Sequence, residues 1–318
     1  MTLPSGRSLR NPQMFVIQVE TLFQSKECTV FYRKTNLTIF LLILSVLSLA
    51  VAGCQAPAPA AEAPSIPAVS FTATETGFSG PDSTPAGWTR VELTNQGEDQ
   101  HQAQLFRFLE GKTMNDLAAA LQGELAGVPE WLASAGGPTG VMPGASASTM
   151  VNLEAGDYVV IDVIPGPDGI PHAAKGLIKP FSVTAASGAT AQAPDADLTV
   201  ELVDYQFKIS DQTVAPGDQT IKVVNTGTEP HELSLIELAP GASVQDFLAA
   251  MASDAPAGPP PGMPVGGIGA IATDSEAYFT ANLEAGKHYG LLCFIPSSNA
   301  DGAPHFMMGM VAELAVEG

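Results

Sequence analysis

Cys293 opens the run Cys293-Phe294-Ile295-Pro296, and nine residues after Pro296 comes His305-Phe306-Met307-Met308-Gly309-Met310. An earlier histidine, His231, follows an Asn-Thr-Gly-Thr-Glu-Pro turn. One thiol, two imidazoles and a thioether form the donor set of a blue-copper electron-transfer centre, because these donors suit both Cu(I) and Cu(II). Taken singly, each residue has a plainer use. A lone cysteine often just packs, a methionine cluster fills core, and a histidine near a strand end caps polar groups. The combination and its order are what point to a metal. His288, five residues before Cys293, falls on the opposite face of a strand and is not expected to join the set.

The front of the chain isolates that thiol. Arg33-Lys34 precede an apolar stretch from Leu37 to Ala52 that ends in Val51-Ala52-Gly53-Cys54. A basic region, a short apolar run and small residues before a cut site make a secretory signal. The run is shorter than the roughly 20 residues needed to span a bilayer. The Val-Ala-Gly-Cys ending resembles a bacterial lipobox, which implies lipidation of Cys54 and tethering on the outer side of a bacterial membrane. Cys28 lies ahead of the cut, so Cys293 is left without a disulfide partner. In an exported protein such a thiol is inert and buried, reactive, or a metal ligand.

Residues 55–318 hold 8 Lys and Arg against 31 Asp and Glu. This surface repels nucleic acid and anionic headgroups and suits a redox partner with a basic face, with membrane contact through the lipid anchor alone. Pro/Ala-rich stretches at 55–67 and 185–196 read as linkers. They leave 1–54 as signal peptide and two domains, 68–184 and 197–318.

The two domains repeat one pattern. Asn95-Gln-Gly-Glu-Asp-Gln-His101 answers Asn225-Thr-Gly-Thr-Glu-Pro-His231, Thr113-Met-Asn-Asp116 answers Ser243-Val-Gln-Asp246, and Asn152-Leu-Glu-Ala-Gly156 answers Asn282-Leu-Glu-Ala-Gly286, each at an offset of 130. Pro171-His172 answers Pro304-His305 at 133. Val91 to Leu93 and Ile221 to Asn225 alternate and break at Asn-x-Gly turns; Glu232 to Leu238 and Tyr289 to Ile295 read as further strands. Thr113/Asp116 and Ser243/Asp246 fit capping boxes opening one short helix per copy. Leu117, Leu121 and Leu125, and Phe247 and Met251, give those helices a packing face. The stretch from Gly258 to Pro264 reads as loop. Short strands, frequent turns and one helix indicate an all-β chain of two tandem β-sandwich domains.

With one histidine from a mid-domain strand, and Cys, His and Met from the last loop, the chain resembles the cupredoxins, whose Greek-key sandwich holds a type 1 copper at one end. The resemblance implies His231, Cys293 and His305 as trigonal ligands of one copper ion in the second domain, with Met308 as the weak axial ligand. Met307 and Met310 compete for that last role. The family places about two to four residues between Cys and His, whereas eleven stand here, with turn chemistry from Ser297 to Gly302.

The first copy keeps His101 and His172, but Asp162 aligns with Cys293 and Lys175 with Met308. Without a thiolate no blue site forms. Two His and one Asp could hold Cu(II) or Zn(II) weakly, and a metal-free structural domain is the plainer expectation. The functions in play are membrane-tethered electron transfer, copper binding or trafficking without redox cycling, and a metal-free adhesive β-sandwich lipoprotein. Catalysis is not expected. Multicopper oxidases and copper nitrite reductases pair a Cys-His dipeptide with His-x-His motifs, and this chain has neither, with five histidines in all.

Overall fold

The protein is described from a computed structural model at residues 65–121, 128–211, 213–253 and 259–318. The leader, Cys28, Cys54 and Leu125 lie outside the described residues. Alternation of apolar and polar residues sets the strands. In Gly87–Asn95, Val91, Leu93 and Asn95 point inward, and in Gly217–Asn225, Ile221, Val223 and Asn225 do the same. The first half runs β1 (Ala68–Thr74), β2 (Gly77–Ser79), β3 (Ser83–Pro85), β4 (Gly87–Asn95), β5 (Gln104–Phe108), α1 (Met114–Ala120), β6 (Leu132–Ser134), β7 (Ser146–Leu153), β8 (Gly156–Ile161) and β9 (Ile178–Thr184). The second runs β10 (Leu198–Val203), β11 (Gln206–Ile209), β12 (Thr213–Val214), β13 (Gly217–Asn225), β14 (His231–Leu238), α2 (Val244–Met251), β15 (Gly262–Ile271), β16 (Glu276–Leu283), β17 (His288–Leu292) and β18 (Val311–Val316).

These strands form the expected all-β sandwiches. One sheet, in the order β3-β9-β8-β5-β6, closes the first half, and β12-β18-β17-β14-β15 closes the second. The opposing layers of both halves merge into a single eight-stranded sheet, β11-β10-β13-β16-β7-β4-β1-β2. The joint is an antiparallel pairing of β7 with β16, in which Thr149 faces Phe279. A second seam links Pro138 to Ile268, where Gly269 N–H donates to Gly137 O at 2.8 Å. Both facing pairs are 130 residues apart, so matching positions of the two halves meet each other. Trp88 and Tyr278 pack edge to face across the joint at 5.3 Å. Strand alternation alone does not reveal this joint, because it shows which face of a strand is buried and not what pairs along its edge. The linker stretch 185–196 has neither strand nor helix, yet Ala191 is buried.

Both helices start at the expected capping boxes, with Thr113 and Ser243 accepting backbone N–H groups and Asp116 and Asp246 reaching back. Such caps contribute about 1 kcal/mol each. Helix α2 covers the outer face of the site sheet, where Val244 and Phe247 pack on Ile236, Leu238 and Leu292. That third layer explains why β14 is buried on both faces rather than one. Met251 does not share the packing face: it closes the helix and is 53% exposed. The stretch expected to be loop up to Pro264 is strand from Gly262 onward. A Cβ at Gly262 would lie 2.9 Å from Ile236 Cγ2 and 3.2 Å from Phe247, so glycine lets β15 run close beneath α2. Pro264 fits opposite Ile236 because the ladder shifts register there.

Candidate metal centre

Period two places two of the three donors. His231 shares its strand face with Leu233 and Leu235, and Cys293 continues the face of Tyr289 and Leu291, all within the sandwich core. The third donor returns on a loop. An antiparallel bridge between Pro296 and Pro304 closes the long excursion at its neck, with Ser297 N–H donating to Ala303 O. His305 N–H then donates to Ile295 O, and Phe306 N–H to Cys293 O at 2.9 Å. The eleven intervening residues are thus a side loop, and His305 comes back beside the thiol. His231, Cys293 and His305 are all buried, with ligand atoms within 4.8 Å of one another.

The Nδ1 atoms of His231 and His305 are 2.8 Å apart, and Cys293 Sγ lies 3.4 Å from His305 Nδ1. Each outer ring nitrogen meets a carboxylate. His231 Nε2 is 2.9 Å from Asp204 Oδ1, and His305 Nε2 is 3.4 Å from Glu229 Oε2. Desolvation would raise the Glu229 carboxyl, but hydrogen bonds from Ser298, Tyr205 and Ser297 outweigh it and hold the group at about 2. Asp204 is held at about 2 in the same way, with Thr228 and His231 overcoming desolvation. Burial and then the neighbouring His231 push His305 down to about 4, and burial also lowers His231 despite Asp204. Burial, followed by the charge of Glu232, pushes the Cys293 thiol up. At neutral pH the cluster is therefore two neutral imidazoles and a protonated thiol. Asn225 fixes the approach to His231: its amide donates to Glu229 O and Ile271 O, while its oxygen accepts Gly227 N–H.

The three candidate thioethers differ in placement. Met307 is 69% exposed, Met308 ends a 3₁₀ turn and is partly exposed, and Met310 is fully buried in the core cluster that contains Cys293. Met310 leads into β18 in step with Ala312, Leu314 and Val316, so strand parity turns it inward. Gly309, at φ 106°, makes the turn that separates it from the 3₁₀ segment. His288 is exposed.

Glu232 is a participant that strand patterning conceals. Its backbone N–H donates to Cys293 Sγ at 3.4 Å, and its carboxylate accepts Phe294 N–H at 2.9 Å. Burial raises its carboxyl to about 7. An acid raised in the folded state binds its proton more tightly there than when unfolded, so stability falls as pH climbs from its ordinary value towards 7. Gln102 stands at the matching position of the first half and is buried. Glu232→Gln should therefore leave the metal-free fold unchanged near pH 4 and stabilise it by roughly 2–3 kcal/mol near pH 8, read from denaturant midpoints at the two pH values. Equal midpoints at pH 8 would contradict the burial of a charge there.

The first half brings His101, Asp162 and His172 together in the same way. Leu177 occupies the place of Met310 and is fully buried, while Lys175, in the place of Met308, turns to Asp168 at 2.7 Å.

No protein-family model and no curated protein matches the chain. Solved structures do. Auracyanin B is 15% identical over 42% of this chain and 96% of its own, with a TM-score of 0.27. A reduced auracyanin from Roseiflexus castenholzii is 19% identical over 39% of this chain and 100% of its own, at 0.25. A multicopper oxidase is 13% identical over 79% of this chain and 88% of its own, at 0.23.

Proposed function

We propose that the second half binds one copper ion through His231, Cys293 and His305, with Met310 rather than Met308 as the axial thioether, and that the protein carries single electrons outside the cytoplasm. The observation that supports this most is the 2.8 Å contact between two neutral Nδ1 atoms. If both Nε2 atoms carry the hydrogens, one donated to Asp204 and the other turned towards Glu229 at 3.4 Å, both Nδ1 lone pairs face each other in a dry site, which is strongly unfavourable. A cation between them, with thiolate as a third donor, removes the conflict and gives the carboxylate–histidine–metal arrangement that fixes tautomer and ring orientation. Copper bound there supplies a one-electron couple at a thiolate and two imidazoles.

The chain's own groups then have defined tasks. Glu229 and Asp204 hold the two rings, Glu232 N–H steadies the sulfur, and Tyr205 and Ser297 fix Glu229. The rigid sandwich keeps the donors in place, so little rearrangement accompanies a change of charge. Of the five histidines, two belong to each buried cluster and His288 is exposed, which leaves none for a multicopper cluster and favours transfer over catalysis. The two halves are read as a duplicated module with the leader and Cys54 as export signal and lipid anchor, and the acidic surface favours a redox partner with a basic face. Exposed Met307 beside His305 favours a second reading, Cu(I) handover without cycling. Voltammetry of the copper-loaded protein separates them: carriage predicts a reversible one-electron couple, whereas handover predicts tight Cu(I) binding without one.

Metal uptake should strengthen as pH rises. Burial lowers both imidazoles and keeps the thiol protonated, so one proton leaves Cys293 for each ion bound once the rings are neutral. Copper affinity should then rise with pH by about tenfold per unit. A weakly buffered titration should record one proton released per ion, and a pH-independent affinity would contradict thiolate ligation.

A further inference from the structure

We propose that His101, Asp162 and His172 form a second, thiolate-free metal site in the first half, taking a divalent ion of the zinc class. The three side chains are almost entirely buried, at 0%, 0% and 2% exposure. Both imidazoles aim Nδ1 at the same carboxylate oxygen: Asp162 Oδ2 lies 2.8 Å from His101 Nδ1 and 3.1 Å from His172 Nδ1. The other carboxylate oxygen accepts Ile164 N–H at 2.9 Å, which fixes the carboxylate plane. Ala173 N–H donates to Asp162 O at 2.7 Å, tying the His172 turn to Asp162 just as Phe306 is tied to Cys293.

No neutral arrangement of these three groups satisfies them. If both Nδ1 atoms carry hydrogen and donate to Asp162, both Nε2 lone pairs are left buried without a donor. His172 Nε2 then faces Asp99 Oδ2 at 3.5 Å, lone pair against carboxylate. His101 Nε2 lies under Gly97, where a Cβ would be 2.6 Å from that nitrogen and 2.7 Å from Glu75 Oε1. If instead both Nε2 atoms carry hydrogen, two Nδ1 lone pairs point at the Asp162 carboxylate. Charging both rings would bury two cations against one carboxylate, at a cost of several kcal/mol per ion. A divalent cation among Nδ1, Nδ1 and Oδ2 satisfies those three atoms at once, with the Nε2–H of His172 turned to Asp99.

The donors select the ion. Two imidazoles and a carboxylate suit Zn(II) or Cu(II), whereas the soft thiolate and thioether donors that let the second half accommodate both copper states are replaced by Asp162 and Leu177. The first half thus holds a divalent ion that does not cycle. This proposal is independent of Cys293 and stands whether or not the second half is a redox centre.

The test uses the purified full-length chain carrying Cys293→Ser, stripped with chelator and titrated with Zn(II), and with Co(II) as an optical probe. One equivalent should bind with a rise in melting temperature, and Co(II) should give visible d–d bands without thiolate charge transfer. Adding Asp162→Asn should lower Zn(II) affinity at least tenfold and abolish the thermal shift. The amide can donate to both Nδ1 atoms, so this variant should keep or exceed the metal-free melting temperature, which separates loss of the site from loss of the fold. The Asp162→Asn change in the chain that retains Cys293 should leave its copper spectrum untouched. Zn(II) uptake and thermal shift unaffected by Asp162→Asn, or no uptake by the Cys293→Ser chain, would overturn the proposal and leave a hydrogen-bonded triad.

Discussion

Cys293→Ser is expected to abolish the visible charge-transfer absorption of the copper-loaded protein and to weaken Cu(I) binding by more than about a hundredfold. Among the described residues the sulfur is the only thiol available to the site, and a serine hydroxyl at neutral pH stays protonated and is a poor donor to a soft ion. Folding should survive. Asp162 shows that a polar group is accommodated at the matching position, and the Glu232 N–H that lies 3.4 Å from the sulfur remains available to a hydroxyl oxygen. The metal-free variant should therefore lose only about 1–2 kcal/mol, the scale of an imperfectly satisfied buried hydroxyl. Absorption spectra and denaturant melts on the same preparations separate the two effects. A large loss of stability without loss of copper binding would return Cys293 to a packing role.

Met310→Leu should keep the visible band and raise the reduction potential, while Met308→Leu should leave both unchanged. A buried thioether stabilises Cu(II) relative to its absence, so removing it tilts the couple towards Cu(I) by about 59 mV for each tenfold change in relative affinity. The swap conserves volume and should cost less than about 1.5 kcal/mol. The fold already accepts leucine there, since Leu177 fills the corresponding place in the first half with full burial. Voltammetry of the two variants decides between the methionines. A shift confined to Met308→Leu would restore Met308 as the axial residue.

Much of this architecture was legible from residues alone because it depends on local signals. Alternation located β4 and β13, the Ser/Thr and Asp pairs located both helices, and the repeat aligned His101 with His231 and Asp162 with Cys293. What the sequence concealed depends on partners distant along the chain. Asp204 and Glu229 lie in turns, and only the fold shows that they meet the outer nitrogens of His231 and His305. The closure at Pro296 and Pro304 turns an eleven-residue spacing into a short return, an effect that residue counting cannot register. Met308 and Met310 share parity if a strand is assumed throughout; the 3₁₀ turn and Gly309 break that assumption and leave Met310 facing the core. The shared eight-stranded sheet was hidden because an edge that pairs with the other half has the same pattern as one that faces solvent.

His305 is sealed from solvent. Its ring is fully buried, with Glu229 3.4 Å from its outer nitrogen and held there by Ser297 and Tyr205, and Tyr205 packs edge to face on the ring at 5.1 Å. The side loop thus returns the histidine and, through Ser297, helps fix the Glu229 that covers it, while the rings of His231 and Tyr205 both pack on it.

The most direct test is the optical and paramagnetic spectrum of the wild-type chain loaded with one equivalent of Cu(II). Ligation by Cys293 with His231 and His305 predicts an intense visible thiolate-to-copper band that appears on loading and bleaches on one-electron reduction. Stoichiometric binding with only weak d–d absorption would contradict it.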